Sequence, residues 1–308
     1  MSATEAVPPL AQRPAIRKLG TIDCDLVEAT PLVFRGRLWR FEYVRSTYRP
    51  NHSGIPHFRF VDVATGATTP GFAAGYHLGS AHVEGETVYV YGVAGTWGGD
   101  RIDVHWSHDL ESWSAQTAVH LPGWELFNTS VCRGDGRYVM AIEVGAPPEV
   151  VGVRFTMRFA ASADLRTWRL LPEDCVFSKE RYTACPALRF LDDGYYYMLY
   201  LEAVGGEPTT YETHVVRSLD LVHWQSSPLN PVLRHSPEDK RIANPSLTAE
   251  QRAHIAGAVN RNNSDVDLCE HEGRTVITYS WGNQHGTEFL AQASYEGPLA
   301  AFLRAWFP

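Results

Sequence analysis

The chain has 308 residues, of which 27 are Lys or Arg and 35 are Asp or Glu, so its formal net charge is −8. This acid excess excludes the basic surface that a nucleic-acid-binding protein needs, and a hydrophobic content of 44% excludes a disordered chain. No apolar run approaches the roughly 20 residues of a membrane-spanning helix. We therefore expect neither a nucleic acid nor a membrane as a partner.

The N-terminal residues and the cysteines bear on the compartment. Residues 1–13 lack the basic start and the apolar stretch of a secretory signal peptide. The five cysteines are scattered and form no Cys-x-x-Cys pair, so neither a disulfide framework nor a zinc site is predicted. We predict a cytoplasmic protein with reduced thiols and no bound metal.

Five segments, in chain order, have the pattern of a β-hairpin: an apolar strand, a turn with glycine and an aromatic-rich strand. The turn glycines are 49, 51, 58 and 79 residues apart. The content of 14 Tyr, 13 Phe, 25 Gly and 19 Pro also favours strands and tight turns. One such unit about every 50 residues is the scale of a propeller blade. The hairpins are 31–43, 81–92, 130–143, 186–202 and 266–281.

A second repeat follows the middle three hairpins. The pattern Ser-x-Asp-Leu-x-x-Trp occurs at 107–113, 162–168 and 218–224, with its tryptophans 55 and 56 residues apart. Ser and Asp side chains accept hydrogen bonds from the nearby backbone and form turns, and the Trp can cover the hairpin beneath. Repetition at a fixed interval indicates one structural unit used several times. A two-sheet β-sandwich, the other all-β architecture considered, does not explain the interval.

We therefore predict an all-β fold, a five-bladed β-propeller in one domain. The long interval before the last hairpin is expected to hold a short helical insertion near 247–259, with Thr248 as its N-cap. Residues 298–307 are expected to form a short C-terminal helix. The fifth blade lacks a fourth strand, and 16–23 at the N-terminus can supply it, because an open sheet edge invites aggregation. The blades are predicted at about 26–70, 76–120, 126–172, 182–230 and 262–297.

Polar residues recur at one end of these predicted blades. The innermost strands of a propeller line a central channel, and each first strand starts at the mouth where the second strand ends. Counting back eight residues from the turn glycines gives four polar starts: Glu28, His77, Asn128 and Asp265. The ends of second strands add Glu143, Glu202 and Trp281, and the start of a third strand adds Glu288. The sequence therefore predicts a ring of acids around one pocket.

Carboxylates beside aromatic side chains suit a carbohydrate, because sugar faces stack on aromatic rings and sugar hydroxyls need fixed acceptors. Cleavage of a glycosidic bond needs one carboxylic acid to protonate the leaving oxygen and a second carboxylate as base or nucleophile. Glu202 ends the aromatic run YYYMLYLE and is predicted as the proton donor. Glu28 is predicted as the base, and Asp265 as the third catalytic acid.

The remaining ring residues are predicted to bind substrate. Asp267 is two residues from Asp265, so both carboxylates share one face of a strand. Glu143 corresponds to Glu202 one blade earlier and can exchange roles with it, and Trp281 is predicted as a sugar platform. Turn capping by the aspartates and a rim ion pair for Glu202 are the structural alternatives. His77, Asn128 and Glu288 complete the predicted binding set.

On these residues the chain resembles the five-bladed β-propeller glycoside hydrolases of the arabinanase, arabinofuranosidase and β-xylosidase class. The resemblance rests on the Ser-x-Asp-Leu-x-x-Trp repeat and on the strand GYYYMLY at 194–200, and it covers most of the chain. It implies a glycosidase with two Asp and one Glu, each at the start of an inner strand. Here Glu28-Ala29-Thr30-Pro31 stands for the Asp-Pro of the first blade, and Ala184-Cys185-Pro186 stands for a later Glu-Gly-Pro. The resemblance thus implies a divergent acid set.

We expect an enzyme that hydrolyses the terminal glycosidic bond of a small oligosaccharide or glycoside and requires no cofactor. A structural Ca²⁺ in the channel is compatible with the oxygen-rich ring, but nothing in the sequence specifies it. A glycoside phosphorylase is one alternative, with phosphate-binding candidates among four arginines: Arg154, Arg181, Arg241 and Arg261. A non-catalytic carbohydrate-binding propeller is the other.

Overall fold

Twenty strands form five antiparallel sheets in the computed structural model, which describes residues 13–45, 55–206 and 208–308. The sheets follow one another along the chain. The innermost strand of each sheet packs against the innermost strands of both neighbouring sheets, so the sheets close into a ring. The fold is the five-bladed β-propeller that the repeats predict.

Blades 1 and 2 follow the first strand of the chain, β1 (Arg17–Cys24), which belongs to blade 5. Blade 1 consists of β2 (Ala29–Phe34), β3 (Arg37–Val44) and β4 (His57–Asp62). Isolated bridges from Thr68 and Phe72 extend its outer edge. Blade 2 consists of β5 (Tyr76–Glu84), β6 (Thr87–Ala94), β7 (Arg101–Ser107) and β8 (Ser114–His120).

Blades 3 and 4 have three long strands each and short outer strands. Blade 3 consists of β9 (Glu125–Arg133), β10 (Tyr138–Ala146), β11 (Thr156–Ser162), β12 (Arg169–Leu170) and β13 (Val176–Phe177). The single-turn helix α1 (Pro148–Val151) connects β10 to β11. Blade 4 consists of β14 (Thr183–Phe190), β15 (Tyr196–Val204), β16 (Thr210–Ser218) and β17 (Gln225–Ser226).

Blade 5 joins the two ends of the chain. Its strands are β18 (Ser264–His271), β19 (Arg274–Gly282), β20 (Glu288–Tyr295) and β1, which pairs antiparallel with β20. A 3₁₀ helix (Pro237–Lys240) and α2 (Ala249–Gly257) precede the blade, and α3 (Leu299–Arg304) follows it. Thr248 accepts a hydrogen bond from the Gln251 N–H at 3.2 Å, which confirms the predicted N-cap.

The three Ser-x-Asp-Leu-x-x-Trp repeats form the same turn after the third strand of blades 2, 3 and 4. In blade 3 the Ser162 hydroxyl accepts from the N–H of Leu165 at 3.0 Å, and the Asp164 carboxylate accepts from Thr167 N–H at 2.8 Å. Trp168 then packs against Tyr91 of blade 2, with ring centroids 5.7 Å apart. The turn therefore links neighbouring blades as well as strands.

The hydrophobic core lies between the facing sides of adjacent blades. One cluster joins blades 1 and 2, one joins blades 2 and 3, one joins blades 3 and 4, and the largest joins blades 4 and 5. Rigid packing between blades fixes the inner strands relative to one another, which is the condition for building a site from five separate strands.

The same register shift near the mouth occurs in four inner strands, β5, β9, β14 and β18, and in three of them it carries a residue with positive φ. The pairing register shifts between His77 and Ser80 in β5, and at corresponding points of β14 and β18. Leu78, Cys185 and Asp265 accordingly have φ values of +54°, +53° and +49°. A bulge redirects the side chain that it carries, so these three residues correspond to one another in the ring.

Candidate active site

The mouth end of the channel forms a cavity to which all five inner strands contribute. Its lining includes Glu28, Ser80, Asn128, Cys185 and Asp265, one from each blade. The floor is tight, with a free volume of about 30 Å³, which holds no more than a few water molecules. A larger ligand therefore lies above the floor, with only its reacting part near these side chains.

Glu28 immediately precedes β2 and is buried. Arg45, which is also buried, places Nη2 3.3 Å from the Glu28 Oε2 atom. Burial raises the pKa of Glu28 to about 7, with a contribution from the nearby Asp265 carboxylate, while Arg45 opposes the rise. Glu28 can therefore carry a proton near neutral pH.

Asp265 occupies the bulge of β18, beside Glu28. The Ser280 hydroxyl donates to its Oδ2 atom at 3.3 Å, and the Cys185 thiol and the Ser264 hydroxyl also donate to the carboxylate. Burial raises the pKa of Asp265, and these hydrogen bonds oppose the rise because they stabilise the ionised form. The two carboxyl groups of Glu28 and Asp265 thus face one cavity with different hydrogen-bonding environments.

Glu143 lies behind the cavity wall and holds two of its members in place. Its Oε2 atom accepts from the Cys185 backbone N–H at 2.8 Å and from Asn128 Nδ2 at 3.0 Å. Burial raises the pKa of Glu143 to about 8, and the charges of Asp265 and Glu28 add to the rise. The contacts give Glu143 a positioning role.

Cys185 stands where the resemblance implies a glutamate. Asn128 Nδ2 approaches its sulfur at 3.7 Å, its N–H binds Glu143, and its thiol binds Asp265. Burial, followed by the charges of Asp265 and Glu143, raises the thiol pKa well above its usual value. The group therefore stays a thiol, a hydrogen-bond donor between two carboxyl groups.

Glu288 begins β20 of blade 5 and is buried. It accepts from Asn262 Nδ2 at 3.0 Å and from the Gln284 N–H at 2.6 Å. Burial raises the pKa of Glu288 to about 8, with smaller contributions from Asp265 and Glu28. Glu288 belongs to the same electrostatic cluster, although its side chain does not line the cavity.

The structure places Glu202 outside the cavity lining, at the end of β15. Arg181 Nε lies 3.0 Å from one carboxylate oxygen, and the Tyr200 hydroxyl donates to the other at 2.6 Å. His214 Nδ1 lies 3.6 Å from the same carboxylate. This is the rim ion pair that the sequence left as the alternative, and the catalytic role of Glu202 stays a prediction.

The predicted binding residue His77 lies outside the cavity lining, whereas Asp267 is part of it. The bulge of β5 gives Leu78 rather than His77 the ring position of Asp265, and His77 is buried in a 2.8 Å hydrogen bond with the Tyr43 hydroxyl. Burial, and then the charge of Arg45, lowers the pKa of His77. Asp265 and Asp267 both line the cavity, although the register of β18 shifts between Ser264 and Asp267, and Asp267 also pairs with Arg189.

The prediction that Trp281 is a sugar platform is wrong. Trp281 is 0% exposed, and its ring stacks on Phe289 at 4.4 Å between centroids. Its indole N–H donates to the Thr21 hydroxyl of β1 at 2.8 Å. The residue seals the junction between the two ends of the chain and offers no face to a ligand.

The sequence reasoning missed Arg45 and the role of Cys185. Arg45 follows β3 directly, so the rule that second strands end at the mouth could have found it. Cys185 was visible only as a departure from the pattern of the resembling family. Its contacts with Glu143 and Asp265 come from blades 3 and 5, which no local signal reveals.

No group of three or more His, Cys, Asp and Glu residues is arranged to hold a metal ion within 13–45, 55–206 and 208–308. The oxygen atoms of the carboxyl cluster are already bound by Arg45, Asn128, Asn262 and backbone N–H groups. In the same part of the chain, no helix is long and apolar enough to cross a membrane. Cofactor independence and the cytoplasmic location stay predictions.

Solved structures share this architecture at low sequence identity. An α-L-arabinofuranosidase from Podospora anserina, solved in complex with cellotriose, is 8% identical with a TM-score of 0.60, over 93% of this chain and 99% of that protein. A thermostable family-43 glycoside hydrolase is 18% identical with a TM-score of 0.52, over 73% and 70% of the two chains. This chain has the five-bladed β-propeller fold of glycoside hydrolases.

A third similar structure belongs to the GH130 family of mannoside phosphorylases, which contains glycoside hydrolases that target β-1,2 mannosidic linkages in Candida mannan. It is 10% identical with a TM-score of 0.58, over 94% of this chain and 96% of that protein. No protein-family model matches the sequence, and no curated protein is significantly similar to it. Because one fold supports several chemistries, the function has to be argued from the site.

Proposed function

We propose that the protein hydrolyses the terminal glycosidic bond of a small oligosaccharide or glycoside, with Glu28 and Asp265 as the reacting pair. The observation that carries the proposal is the meeting of two carboxyl groups, those of the buried Glu28 and the partly buried Asp265, at the mouth of the channel. Two carboxyl groups with unlike environments are the minimum equipment for glycoside hydrolysis. The glycoside hydrolases that share the fold support the same substrate class.

The hydrogen bonds divide the roles between the two groups. Asp265 accepts from Ser280, Cys185 and Ser264, so its ionised form is the better stabilised one. Glu28, whose pKa is raised to about 7, keeps its proton longer. We therefore assign Glu28 as the proton donor, in place of Glu202, and Asp265 as the carboxylate that acts at the anomeric carbon.

In this mechanism the Glu28 proton passes to the glycosidic oxygen as the bond from that oxygen to the anomeric carbon breaks. Asp265 takes a proton from the water that attacks the carbon, or attacks the carbon itself before water releases the sugar. In the first course Asp265 ends protonated and Glu28 ends ionised, and proton exchange with solvent restores both before the next cycle. In the second course the Glu28 carboxylate takes a proton from the water that releases the sugar, so Glu28 is protonated again when Asp265 is freed. The anomer released first, read by NMR, distinguishes the two courses.

The test is release of monosaccharide from a panel of aryl furanosides and pyranosides. Glu28→Gln and Asp265→Asn should each lower kcat by at least about 100-fold, the usual size of a general acid or base contribution. Glu84→Gln is the control, because Glu84 pairs with Arg133 at the opposite end of its strand. If both pocket variants keep wild-type turnover, the assignment is wrong.

Arg45→Met tests the role of Glu28 as proton donor, whichever sugar the enzyme accepts. Arg45 holds down the pKa of Glu28, so its loss should raise that pKa further. Glu28 must be protonated to act as the donor, and activity is lost as pH rises through its pKa. The basic limb of the kcat/KM profile should therefore move to higher pH by about one unit. Arg35→Met, a change at an exposed turn, should leave the limb in place.

Phosphorolysis and binding without turnover are distinguished in the same assay. Arg154, Arg181 and Arg241 are each paired with a carboxylate, at 2.8, 3.0 and 3.5 Å, so none of these three offers an unneutralised charge to phosphate. For a hydrolase, turnover should not depend on added inorganic phosphate. Strict phosphate dependence would select the phosphorylase, and saturable sugar binding without any product would select the non-catalytic alternative.

A further inference from the structure

A row of aromatic side chains borders the mouth of the propeller from blade 2 to blade 4. Neighbouring rings meet edge to face, with centroids 4.9, 4.8, 5.7 and 5.7 Å apart. Edge-to-face contacts stabilise aromatic pairs beyond their buried area, so the row is one connected structure. In order, its members are Trp97, Phe127, Phe155, Tyr182 and Tyr211.

The direction of the strands puts this row on the face of the cavity. The second strand of each blade ends at the mouth and the third begins there. Trp97 lies in the loop between β6 and β7, Phe155 immediately precedes β11, and Tyr211 is near the start of β16. Phe127 precedes the cavity residue Asn128 in β9, so the row adjoins the cavity directly.

Trp97 is the exposed end of the row, with 49% of its surface accessible. Its loop is held to β9 by the Leu126 N–H, which donates to the Gly99 carbonyl at 2.9 Å. Gly98 has a φ of +76°, and a Cβ there would lie 3.0 Å from the Phe127 ring. Glycine therefore lets the loop close against Phe127, which supports one side of the Trp97 ring while the rest faces solvent.

A hydrogen-bond donor and an acceptor lie near Phe127, the ring that supports Trp97. The Arg154 guanidinium lies over the rings of Phe127 and Phe155, 5.5 and 4.7 Å from their centroids. Glu125 pairs with Arg154 at 2.8 Å, and both side chains stay partly exposed. Sugar hydroxyls both donate and accept, so the pair can serve them without attracting a charged ligand.

We propose that Trp97, Arg154 and Glu125 form a second subsite outside the carboxyl cavity, which binds a pyranose unit on the leaving-group side of the bond to be cleaved. The inference rests on the proposed function, because it takes the terminal sugar to react above Glu28 and Asp265. It makes the substrate an oligosaccharide of pyranose units. The tight cavity floor is consistent with this, since most of the ligand must then lie along the mouth.

A pyranose suits Trp97 because its axial C–H bonds form a flat apolar face, which stacks on an aromatic ring. The hydroxyls at the edge of the same ring then point toward partners beside the platform. A held platform loses little side-chain freedom on binding, which favours affinity. Stacking of this kind should contribute at least about tenfold to affinity.

The test uses the Asp265→Asn variant, so that binding is measured without turnover. Titration calorimetry with cellotriose, xylotriose and β-1,2-mannotriose gives the affinity of each trisaccharide. Adding Trp97→Ala should weaken binding of the preferred trisaccharide at least tenfold, whereas Trp97→Phe should weaken it less than threefold. Leu219→Ala, a control at a side chain that is 60% exposed near the opposite face, should have no effect.

Two results would overturn the subsite: unchanged affinity in Trp97→Ala, or no binding of any of the three trisaccharides. A parallel assay with aryl monosaccharide glycosides tests the proposed function alone. In that assay Leu219→Ala should keep kcat within twofold of the wild type, because Leu219 lies near the opposite face. Absence of aryl glycoside turnover in the wild type would reject the hydrolase, while the calorimetry would still decide the subsite. Because Trp97 is exposed, the thermal melting of Trp97→Ala should match that of the wild type.

Discussion

At the scale of single residues, the site is a cluster of carboxyl groups whose hydrogen-bond donors are mostly neutral groups. Burial is the first cause of the raised pKa of Glu28, Glu143 and Glu288, and of Asp265 as well. Of the donors around them, Arg45 is the cation that meets Glu28 directly. A carboxyl group out of water favours its protonated form, so the cluster keeps protons at a pH where free carboxyl groups have lost them.

This cluster should make the protein less stable as pH rises. A carboxyl group whose pKa is higher in the folded than in the unfolded chain stabilises the fold at low pH, and that contribution is lost as pH rises toward the folded value. Glu143, with a pKa raised to about 8, should contribute up to about 1.4 kcal/mol per pH unit. In Glu143→Gln, the fall in the free energy of unfolding between pH 5 and pH 8 should be smaller by up to about 3–4 kcal/mol.

Urea denaturation at pH 5, 6, 7 and 8 measures this difference. Glu84→Gln, at a partly exposed ion pair, should follow the wild-type pH dependence. Equal slopes for Glu143→Gln and the wild type would contradict the burial argument. The measurement needs no substrate, so it tests the electrostatics of the pocket independently of any activity.

The sequence located residues whose position follows from the repeat. It missed residues whose role depends on contacts with another blade. Counting from turn glycines placed Glu28 and Asp265 in one cavity, since every blade has the same inner strand. It could not tell that Trp281 is covered by β1, because an aromatic residue before a polar loop has the same local sequence whether buried or exposed. The sequence of the hairpin also could not decide between the catalytic role and the rim ion pair of Glu202, because its partner Arg181 lies outside that hairpin.

At the scale of structural elements, the fold was predictable because its turns carry side-chain signals. In each Ser-x-Asp-Leu turn, Ser and Asp oxygens take up the backbone N–H groups that the turn leaves free. The leucines of the three turns have φ between +63° and +65°, a conformation unfavourable for a branched side chain. Burial of the leucine and the local hydrogen bonds stabilise this conformation. The turn therefore needs the serine, the aspartate and the leucine together, and the complete motif recurs.

Removing the serine of one turn should expose this dependence. Ser162→Ala leaves the N–H groups of Asp164 and Leu165 without their acceptor. The free energy of unfolding should fall by about 1–2 kcal/mol, the usual cost of losing one partner of a buried hydrogen bond. Thr167→Ala, a change of an exposed side chain in the same turn, should cost much less. Chemical denaturation of both variants measures the difference. Equal stabilities would show that the serine hydrogen bonds do not stabilise the turn.

At the scale of the whole molecule, the ring is held closed by one strand. β1 pairs with β20, and its Thr21 backbone N–H donates to the Arg241 carbonyl at 2.7 Å. The Lys18 ammonium group donates to Asp239 at 2.7 Å and to Asn263 at 2.6 Å. A buried ion pair tolerates the loss of either partner poorly, so these contacts secure the N-terminal strand against blade 5 and the segment before it. The bulged strand that carries Asp265 belongs to the blade that this closure completes.

Gly20 is the point at which closure is sterically most demanding. Its φ is +114°, and a Cβ there would lie 2.3 Å from the Arg241 carbonyl oxygen, a backbone atom that cannot swing aside. Gly20→Ala should therefore force β1 away from that segment and lower the free energy of unfolding by about 3 kcal/mol. Gly257→Ala at the end of α2, where a Cβ meets nothing within 4 Å, should be neutral or slightly stabilising. If both alanine variants unfold at the same urea concentration, the close approach of β1 does not limit stability, and closure must depend on the strand pairing alone.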